Sequence, residues 1–249
     1  TQVCHTDVSS GSRITYSMGT AVHRACQDVI RQLKERAAAQ LKCDVADVEY
    51  ARKLFRVKGQ PDRKVTLAEL GEASIRGTGA IVGHGSAGRM LYAPAFAVHV
   101  ADVEVNPQTG KVKVLRYTCF QDCGRAVNPT QVEGQMQGGA SQGIGWALSE
   151  EYVYDVHGVL RNASLLDYRT PTALDLPYLD TEIVEVPASD GPYGIRGAGE
   201  VPIVPPPGCL ANAICRAIGV RLHELPMKPE RVLRALKQAE RRPVPAPAG

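Results

Sequence analysis

Five glycines inside one helical segment limit what this chain can fold into more than any other feature of its sequence. Periodicity predicts a helix over about 130–148. Each internal glycine costs about 1 kcal/mol relative to alanine in an exposed helix, so we expect close packing against another backbone or a ligand. A tightly packed helix with no ligand fits the same spacing. The glycines are Gly134, Gly138, Gly139, Gly143 and Gly145, and the same segment carries the amides of Gln131, Gln135, Gln137 and Gln142.

A second glycine-rich stretch carries a single carboxylate. It reads Gly194-Ile-Arg-Gly-Ala-Gly-Glu200-Val-Pro202 and precedes three prolines and an apolar helical run. Its glycines allow tight turning and the close approach of another molecule to the backbone. Glu200 is therefore predicted at the mouth of a helix. It could be an ordinary loop acid that complements the helix N-terminus, or a functional group.

Composition and charge exclude several classes of protein. With 249 residues, 44% hydrophobic and 22% charged, the chain suits one large or two modest globular domains. No stretch approaches about 20 uninterrupted apolar residues, so no membrane span is expected. The net charge is only +3 and the basic residues are scattered, which argues against nucleic-acid binding.

The seven cysteines lack C-x-x-C spacing, so we expect reduced thiols in a cytoplasmic protein, with no disulfide framework and no zinc site. Buried, inert thiols are expected at Cys26, Cys43, Cys209 and Cys215. His99 is interpreted as a strand residue and not as a ligand.

Hydrophobic periodicity and turn signals predict a chain of mixed secondary structure. Thr66 and Glu69 have the spacing of a capping box at the start of a short helix. The glycine-punctuated stretch 77–88 lacks the lysine of a phosphate loop and is interpreted as a mobile connector. Residues 240–249 are interpreted as a disordered tail. Longer helices are predicted at about 20–41, 130–148, 208–218 and 227–239, and strands at about 45–57, 95–105, 111–117, 151–154 and 181–186.

The opening segment, residues 4–19, is rich in hydroxyls and backbone donors. Such a loop can form a nest for an anion, or can simply cap the helix that follows. The two interpretations are compatible, because helix N-termini bind anions. The chain starts at Thr1, and its polar, Ser/Gly-rich opening run does not have the pattern expected of a signal peptide. We expect a processed or shortened piece, or one part of a longer polypeptide.

Several separate motifs, in this order and spacing, resemble the C-terminal part of the molybdenum-binding large subunit of the xanthine dehydrogenase and aldehyde oxidase family. They are the 103–112 hairpin, Asp122-Cys-Gly through Asn128-Pro129, Gly134-Gln-Met-Gln-Gly-Gly-Ala-Ser-Gln142-Gly, Gly197-Ala-Gly-Glu200-Val-Pro, Leu210-Ala-Asn-Ala-Ile214, and Leu225-Pro226 with Pro229-Glu-Arg-Val232. The run from Ser9 to Gly19 resembles the cofactor loop of that family. The implied fold is α+β, with mixed sheets and packed helices, and resembles the second molybdenum-binding domain of molybdenum hydroxylases over residues 1–239.

The resemblance implies a role for particular residues. Glu200 matches the active-site glutamate, which acts as general base on a metal-bound hydroxyl during oxidation of an aldehyde or N-heterocycle, with water as the oxygen source. Gln142 and Gly143 match positions that contact the pterin. The family's loop that lies against the cofactor is matched in this chain by Ser10, Gly11, Ser12 and Arg13. The implied cofactor is molybdopterin with molybdenum, with the cytosine dinucleotide form as one alternative. Its dithiolene holds the metal, so no protein ligand to the metal is expected.

The family's large subunit is much longer than this chain. The resemblance therefore implies an N-terminal molybdenum-binding chain as partner, together with subunits that carry iron–sulfur clusters and FAD. We expect that the chain does not work alone. Two other interpretations stay open: a carbon monoxide dehydrogenase-like or aryl-CoA reductase-like member, and a non-catalytic scaffold subunit.

Overall fold

The computed structural model describes residues 8–88 and 93–240, which form two compact units. Residues 14–88 lie in the first unit, and the second contains residues 9–13 and 93–240. Each unit combines helices with an open three-stranded sheet, which confirms the predicted α+β class. None of the helices in these described ranges has the length and apolar character needed to cross a bilayer.

In the first unit, a long helix packs on an antiparallel sheet with strand order β1-β2-β3. The capping box predicted at Thr66 and Glu69 is confirmed, because each residue's side chain pairs with the other's backbone N–H. The elements are α1 (Ile14–Leu41), β1 (Val48–Ala51), β2 (Leu54–Val57), β3 (Gln60–Thr66) and α2 (Leu67–Ala73). The core consists of Leu33, Ala37, Ala38, Val48, Phe55, Val65 and Leu70.

Two predictions in this unit were wrong in their boundaries. Helix α1 begins at Ile14, six residues before the predicted start at Thr20. The strand region predicted over 45–57 contains two strands, joined by a turn in which Arg52 and Lys53 have positive φ angles of 52° and 64°. Only Lys58 and Gly59 separate β2 from β3. That strand is polar and exposed along most of its length, so it lacks the apolar alternation by which strands are recognised.

The glycine-punctuated stretch 77–88 is not a free connector, because it packs along α1. A Cβ at Gly83 would lie 2.3 Å from the carbonyl oxygen of Ala25, and one at Gly85 would lie 2.0 Å from that of Ala21. His84 also donates its backbone N–H to Asp28 at 3.0 Å. These glycines are therefore explained by close approach to a helix backbone.

In the second unit, two helices cover one face of a sheet with strand order β4-β5-β6. Strands β4 and β5 are antiparallel, whereas β5 and β6 are parallel and are connected through α3. The elements are β4 (Phe96–Val105), β5 (Val112–Asp122), α3 (Pro129–Leu148), β6 (Leu179–Val184), α4 (Pro205–Ile218) and α5 (Pro229–Glu240). The core consists of Val114, Tyr117, Cys119, Met136, Ala140, Ile144, Ala147, Leu179, Leu210, Ile214, Met227 and Val232.

The glycines of α3 divide into a packed set and an open set. A Cβ at Gly139 would lie 2.6 Å from the ring of Pro202, and one at Gly143 would lie 2.5 Å from the ring of Pro206. A Cβ at Gly145 would lie 2.1 Å from the Oε1 atom of Glu150 and 2.6 Å from the ring of Pro171. Nothing lies within 4 Å of a Cβ built at Gly134 or Gly138. The predicted close packing is therefore confirmed for the first set, whereas the second set leaves part of the helix surface bare.

Boundaries in the second unit also differ from prediction. The strand predicted at 151–154 is wrong: the segment contributes only an isolated bridge between Tyr154 and Leu160, because the side chain of Asn162 takes the N–H of Val153. Helix α4 begins at Pro205, with proline in its first turn. The assignment of residues 1–239 to one domain stays a prediction. The predicted tail lies outside the described residues from position 241 onward.

The cysteines that the structure describes are free thiols, as predicted, but they are less uniformly buried than expected. Cys26 is exposed, and Cys43, Cys209 and Cys215 are half-buried. The apolar stripe of α1 that contains Cys26 is open at its N-terminal half, where Val22 is 59% exposed. Fully buried thiols occur instead at Cys119 and Cys123.

Candidate active site

Glu200 lies between a glycine-rich loop and a short 3-10 turn, Val201–Ile203, that leads into α4. Its backbone N–H donates to the hydroxyl of Ser12 at 2.6 Å. Its side chain is exposed. The described residues of this chain therefore do not enclose this carboxylate.

An ion pair ties the loop before Glu200 to the end of the sheet. Arg196 contacts Asp122 at 3.1 Å, and their side chains are only 13% and 11% exposed. The Arg196 guanidinium also donates to the carbonyls of Val186 at 3.0 Å and Pro94 at 2.6 Å. Backbone approach is close here as well, since a Cβ at Gly124 would lie 2.2 Å from the carbonyl oxygen of Gly194. The loop thus has a fixed attachment to β5.

The opening loop, residues 9–13, lies against the glycine-rich loop. Gly11 and Ser12 have positive φ angles of 62° and 56°, so two successive residues are in the left-handed region. Ser12 is half-buried, and its Cβ lies 2.8 Å from the place where a Cβ on Gly197 would stand. Glycine at 197 is therefore required for this contact. The loop exposes Ser10, Gly11 and Arg13 to solvent.

Helix α3 places the side-chain amide of Gln135 against the glycine-rich loop that precedes Glu200. The Oε1 atom of Gln135 lies 2.9 Å from the Cβ position of Gly199. Gln135 and Gln142 are seven residues apart, about two helical turns, so they share one face of α3. Both side chains are exposed, and Gly138 lies bare on that face between them.

The predicted site residues are brought together only in part. Ser12 and Glu200 are in direct contact. Gly143 is buried, with its α-carbon packed against Pro206 and the carbonyl of Ile203. Gln142 lies farther along the open face of α3. The cofactor-binding roles of the opening loop, Gln142 and Gly143 stay predictions.

Two glutamines near Glu200 were not predicted as site residues. Gln135 contacts the loop at Gly199, and Gln121 donates from β5 to the carbonyl of Ala198 at 3.1 Å. Alternation along β5 would have placed Gln121 on the same face as Tyr117 and Cys119. No local pattern indicates its long-range partner.

A second titratable cluster is buried between the sheet and α4. The Nδ1 atom of His99 lies 2.9 Å from the Tyr117 hydroxyl, and Cys209 contacts the carbonyl of His99 at 3.4 Å. Burial lowers the pKa of His99 to about 4 and raises the pKa of Tyr117 above its usual value. His99 is thus a neutral strand residue, as interpreted from the sequence.

The residues around Glu200 fit a pterin in their chemistry. Amides and hydroxyls can donate and accept hydrogen bonds along the edges of a heterocycle, and bare glycine surface permits close approach. In the part of the chain that the structure describes, no group of three or more His, Cys, Asp or Glu side chains is placed to hold a metal ion. A metal held by the pterin itself would need no such cluster.

A cavity of about 980 Å³ lies elsewhere in the second unit, at the C-terminal end of α3. It is lined by the start of β5, the segment 165–177 and residues near Met227. None of the predicted site residues lines it.

Comparison with known proteins relates this chain to a protein family and to a curated relative. A family model described as the molybdopterin cofactor-binding domain matches residues 1–177. The chain is 33% identical over 246 residues to the 6-hydroxypseudooxynicotine dehydrogenase complex subunit gamma of Paenarthrobacter nicotinovorans, and the match covers 94% of this chain and 31% of that protein.

Solved structures agree with the sequence matches. Carbon monoxide dehydrogenase from Oligotropha carboxidovorans superposes with a TM-score of 0.80 at 28% identity, covering 93% of this chain and 30% of that one. Quinoline 2-oxidoreductase from Pseudomonas putida 86 superposes with a TM-score of 0.78 at 29% identity, covering 92% and 31%. The chain therefore spans less than a third of the length of these relatives.

Proposed function

We propose a catalytic role for this chain, which belongs to the family of molybdopterin cofactor-binding domains found in the large subunits of molybdenum hydroxylases. The proposed reaction is oxidation of an aldehyde or an N-heterocycle with water as the oxygen source. Glu200 is its proposed general base. The observation that carries the proposal is the contact between Glu200 and Ser12, which joins the motif of the base to the loop expected to bind the cofactor.

The cofactor would rest on two parts of the second unit, the opening loop and helix α3. The opening loop would offer Ser10, Gly11, Ser12 and Arg13, and α3 would offer Gln142. Gly143 would act by letting α3 approach Pro206, and so by bringing the helix close to the turn that carries Glu200. When bound, molybdopterin with its molybdenum supplies two-electron redox chemistry.

Glu200 would accept the proton released when water-derived oxygen is transferred to the substrate. A carboxylate can do so within hydrogen-bond reach, about 2.6–3.2 Å, of the group that loses the proton. Its exposed position leaves it free to meet a substrate. Exclusion of water would come from the N-terminal molybdenum-binding chain proposed as partner, because the described residues leave the carboxylate open.

The proposed partners would enclose the open side of the site and carry its electrons. An N-terminal molybdenum-binding chain would form the other wall of the site, and subunits with iron–sulfur clusters and FAD would carry electrons away. The name of the Paenarthrobacter relative, a complex subunit, supports a multi-subunit assembly. The likeness to quinoline 2-oxidoreductase favours an N-heterocycle as substrate. The likeness to carbon monoxide dehydrogenase makes carbon monoxide the second candidate.

Purification of the complex that contains this chain tests the proposal. We expect stoichiometric molybdenum and a pterin whose nucleotide can be identified by mass spectrometry. Turnover with a dye acceptor should be seen with an aldehyde or an N-heterocycle, whereas turnover with carbon monoxide alone would favour the second candidate. A complex with no molybdenum and no turnover would instead identify a scaffold subunit.

A further inference from the structure

We propose that Gln121 is a positioning residue, which fixes the position of Glu200 through a hydrogen bond from the sheet to the loop before the acid. Its Nε2 donates to the carbonyl of Ala198 at 3.1 Å, two residues before the acid. This inference rests on the proposed role of Glu200.

Gln121 can act this way because it stands on a rigid support. It lies in β5, the central strand, where it pairs with Ala97 of β4 and Ile183 of β6. The residue is only 1% exposed. A side chain so enclosed cannot change rotamer freely, so its donor has a defined position relative to the sheet.

The other end of the Gln121 amide shows that the residue does not serve packing alone. Its Oε1 atom is buried and receives no hydrogen bond from the described protein residues. A buried acceptor without a protein donor costs stability, whereas an apolar side chain of the same shape would not. Methionine has nearly the same length and would fill the space. The benefit of glutamine therefore lies in its donor, which reaches the turn that carries Glu200.

The turn is held from two sides. Gln121 binds the carbonyl of Ala198, and Ser12 accepts from the N–H of Glu200 at 2.6 Å. Between them, Gly199 lies against the amide of Gln135, where a Cβ would be 2.9 Å away. Loss of the bond from Gln121 leaves the turn attached by Ser12 alone among these side-chain bonds. The carboxylate then samples positions away from the reacting group.

The test compares Gln121→Met with a matched control, Gln137→Met, in the purified holo complex. Gln137 also donates an amide hydrogen to a backbone carbonyl, that of Leu179 at 3.3 Å, but from α3 to β6. Three quantities are measured for each variant: hydrogen exchange of the peptide covering 197–203, thermal stability, and the separate values of kcat and KM. Molybdenum content is determined in parallel.

We expect Gln121→Met to speed exchange at 199–200 and to lower kcat, each by about five- to tenfold, the effect of one hydrogen bond. KM should stay at the wild-type value, and the melting temperature should not fall, because methionine also removes the buried, unpaired Oε1 atom. Gln137→Met should alter neither exchange at the turn nor kcat. Unchanged exchange would overturn the proposal, as would faster exchange with unchanged kcat. Equal effects of both variants, or a fall in melting temperature that accounts for the loss, would indicate a merely structural role. If the wild-type complex holds no molybdenum, the function of Glu200 fails, and the exchange measurement still decides whether Gln121 holds the turn.

Discussion

Two glycines of α3, five residues apart, give a direct test of why this helix is rich in glycine. Gly143 is packed against Pro206, whereas Gly138 faces open space. Replacement of each by alanine adds the same methyl group and the same helix propensity. The two variants therefore differ only in what the methyl group meets.

The expected magnitudes follow from the surroundings of each site. A methyl group on Gly143 would stand 2.5 Å from the Pro206 ring and 2.9 Å from the carbonyl oxygen of Ile203, so backbone or ring must shift. Overpacking of this kind costs about 1–3 kcal/mol, against a gain of about 1 kcal/mol in helix propensity. Gly143→Ala should therefore lose roughly 1 kcal/mol of stability, and Gly138→Ala should gain up to about 1 kcal/mol.

Thermal unfolding of the two variants and the wild type measures this difference. A separation of about 2 kcal/mol between the variants corresponds to about 4–8 °C in melting temperature for a protein of this size. Gly143→Ala should melt lowest and Gly138→Ala highest. If Gly143→Ala melts at or above the wild-type temperature, the close contact with Pro206 does not explain the glycine, and a role in direct cofactor contact regains support.

The remaining predictions concern buried charge. Burial lowers the pKa of His99 to about 4 from an unfolded value of 6.5, so the neutral form favours folding; this stability is complete above about pH 6.5 and is lost, by about 3 kcal/mol, as the pH falls toward 4. As the pH is lowered from 6.5 toward 4, the urea midpoint of His99→Phe should therefore fall less steeply than that of the wild type. Equal dependence of the two midpoints on pH would contradict this account. Asp122→Asn leaves the guanidinium of Arg196 buried without its counter-charge and should cost about 3 kcal/mol in urea unfolding. Adding Arg196→Met to it should cost less than the sum of the two single losses, and strict additivity would show that the pair is not coupled.

Local signals predicted the elements that depend on local interactions. The capping box at Thr66 and the helix that follows Asn128 both agree with the structure, because their stabilising bonds lie within a few residues. The hairpin of β4 and β5 was found for the same reason, since its turn falls between two alternating apolar runs. The predicted strand at 151–154 failed because the side chain of Asn162 takes the backbone N–H of Val153, which leaves only an isolated bridge between Tyr154 and Leu160.

The site was less accessible to sequence reasoning. The resemblance identified Glu200 and Ser12, which meet although 188 positions separate them. It did not identify Gln121 or Gln135, whose importance depends on contacts with a loop far along the chain. The sequence also did not indicate how far Glu200 is exposed, because burial of this acid depends on surfaces that the described residues do not supply. Long-range contacts of this kind leave no periodic trace in the sequence.

Turnover by a molybdenum-loaded Glu200→Gln complex tests the central claim most directly. The substitution preserves the shape of the side chain but removes its ability to accept a proton. We predict molybdenum content and melting temperature equal to those of the wild-type complex, with turnover lower by at least about 100-fold. Turnover close to the wild-type rate in the loaded variant would contradict the assignment of Glu200 as the general base.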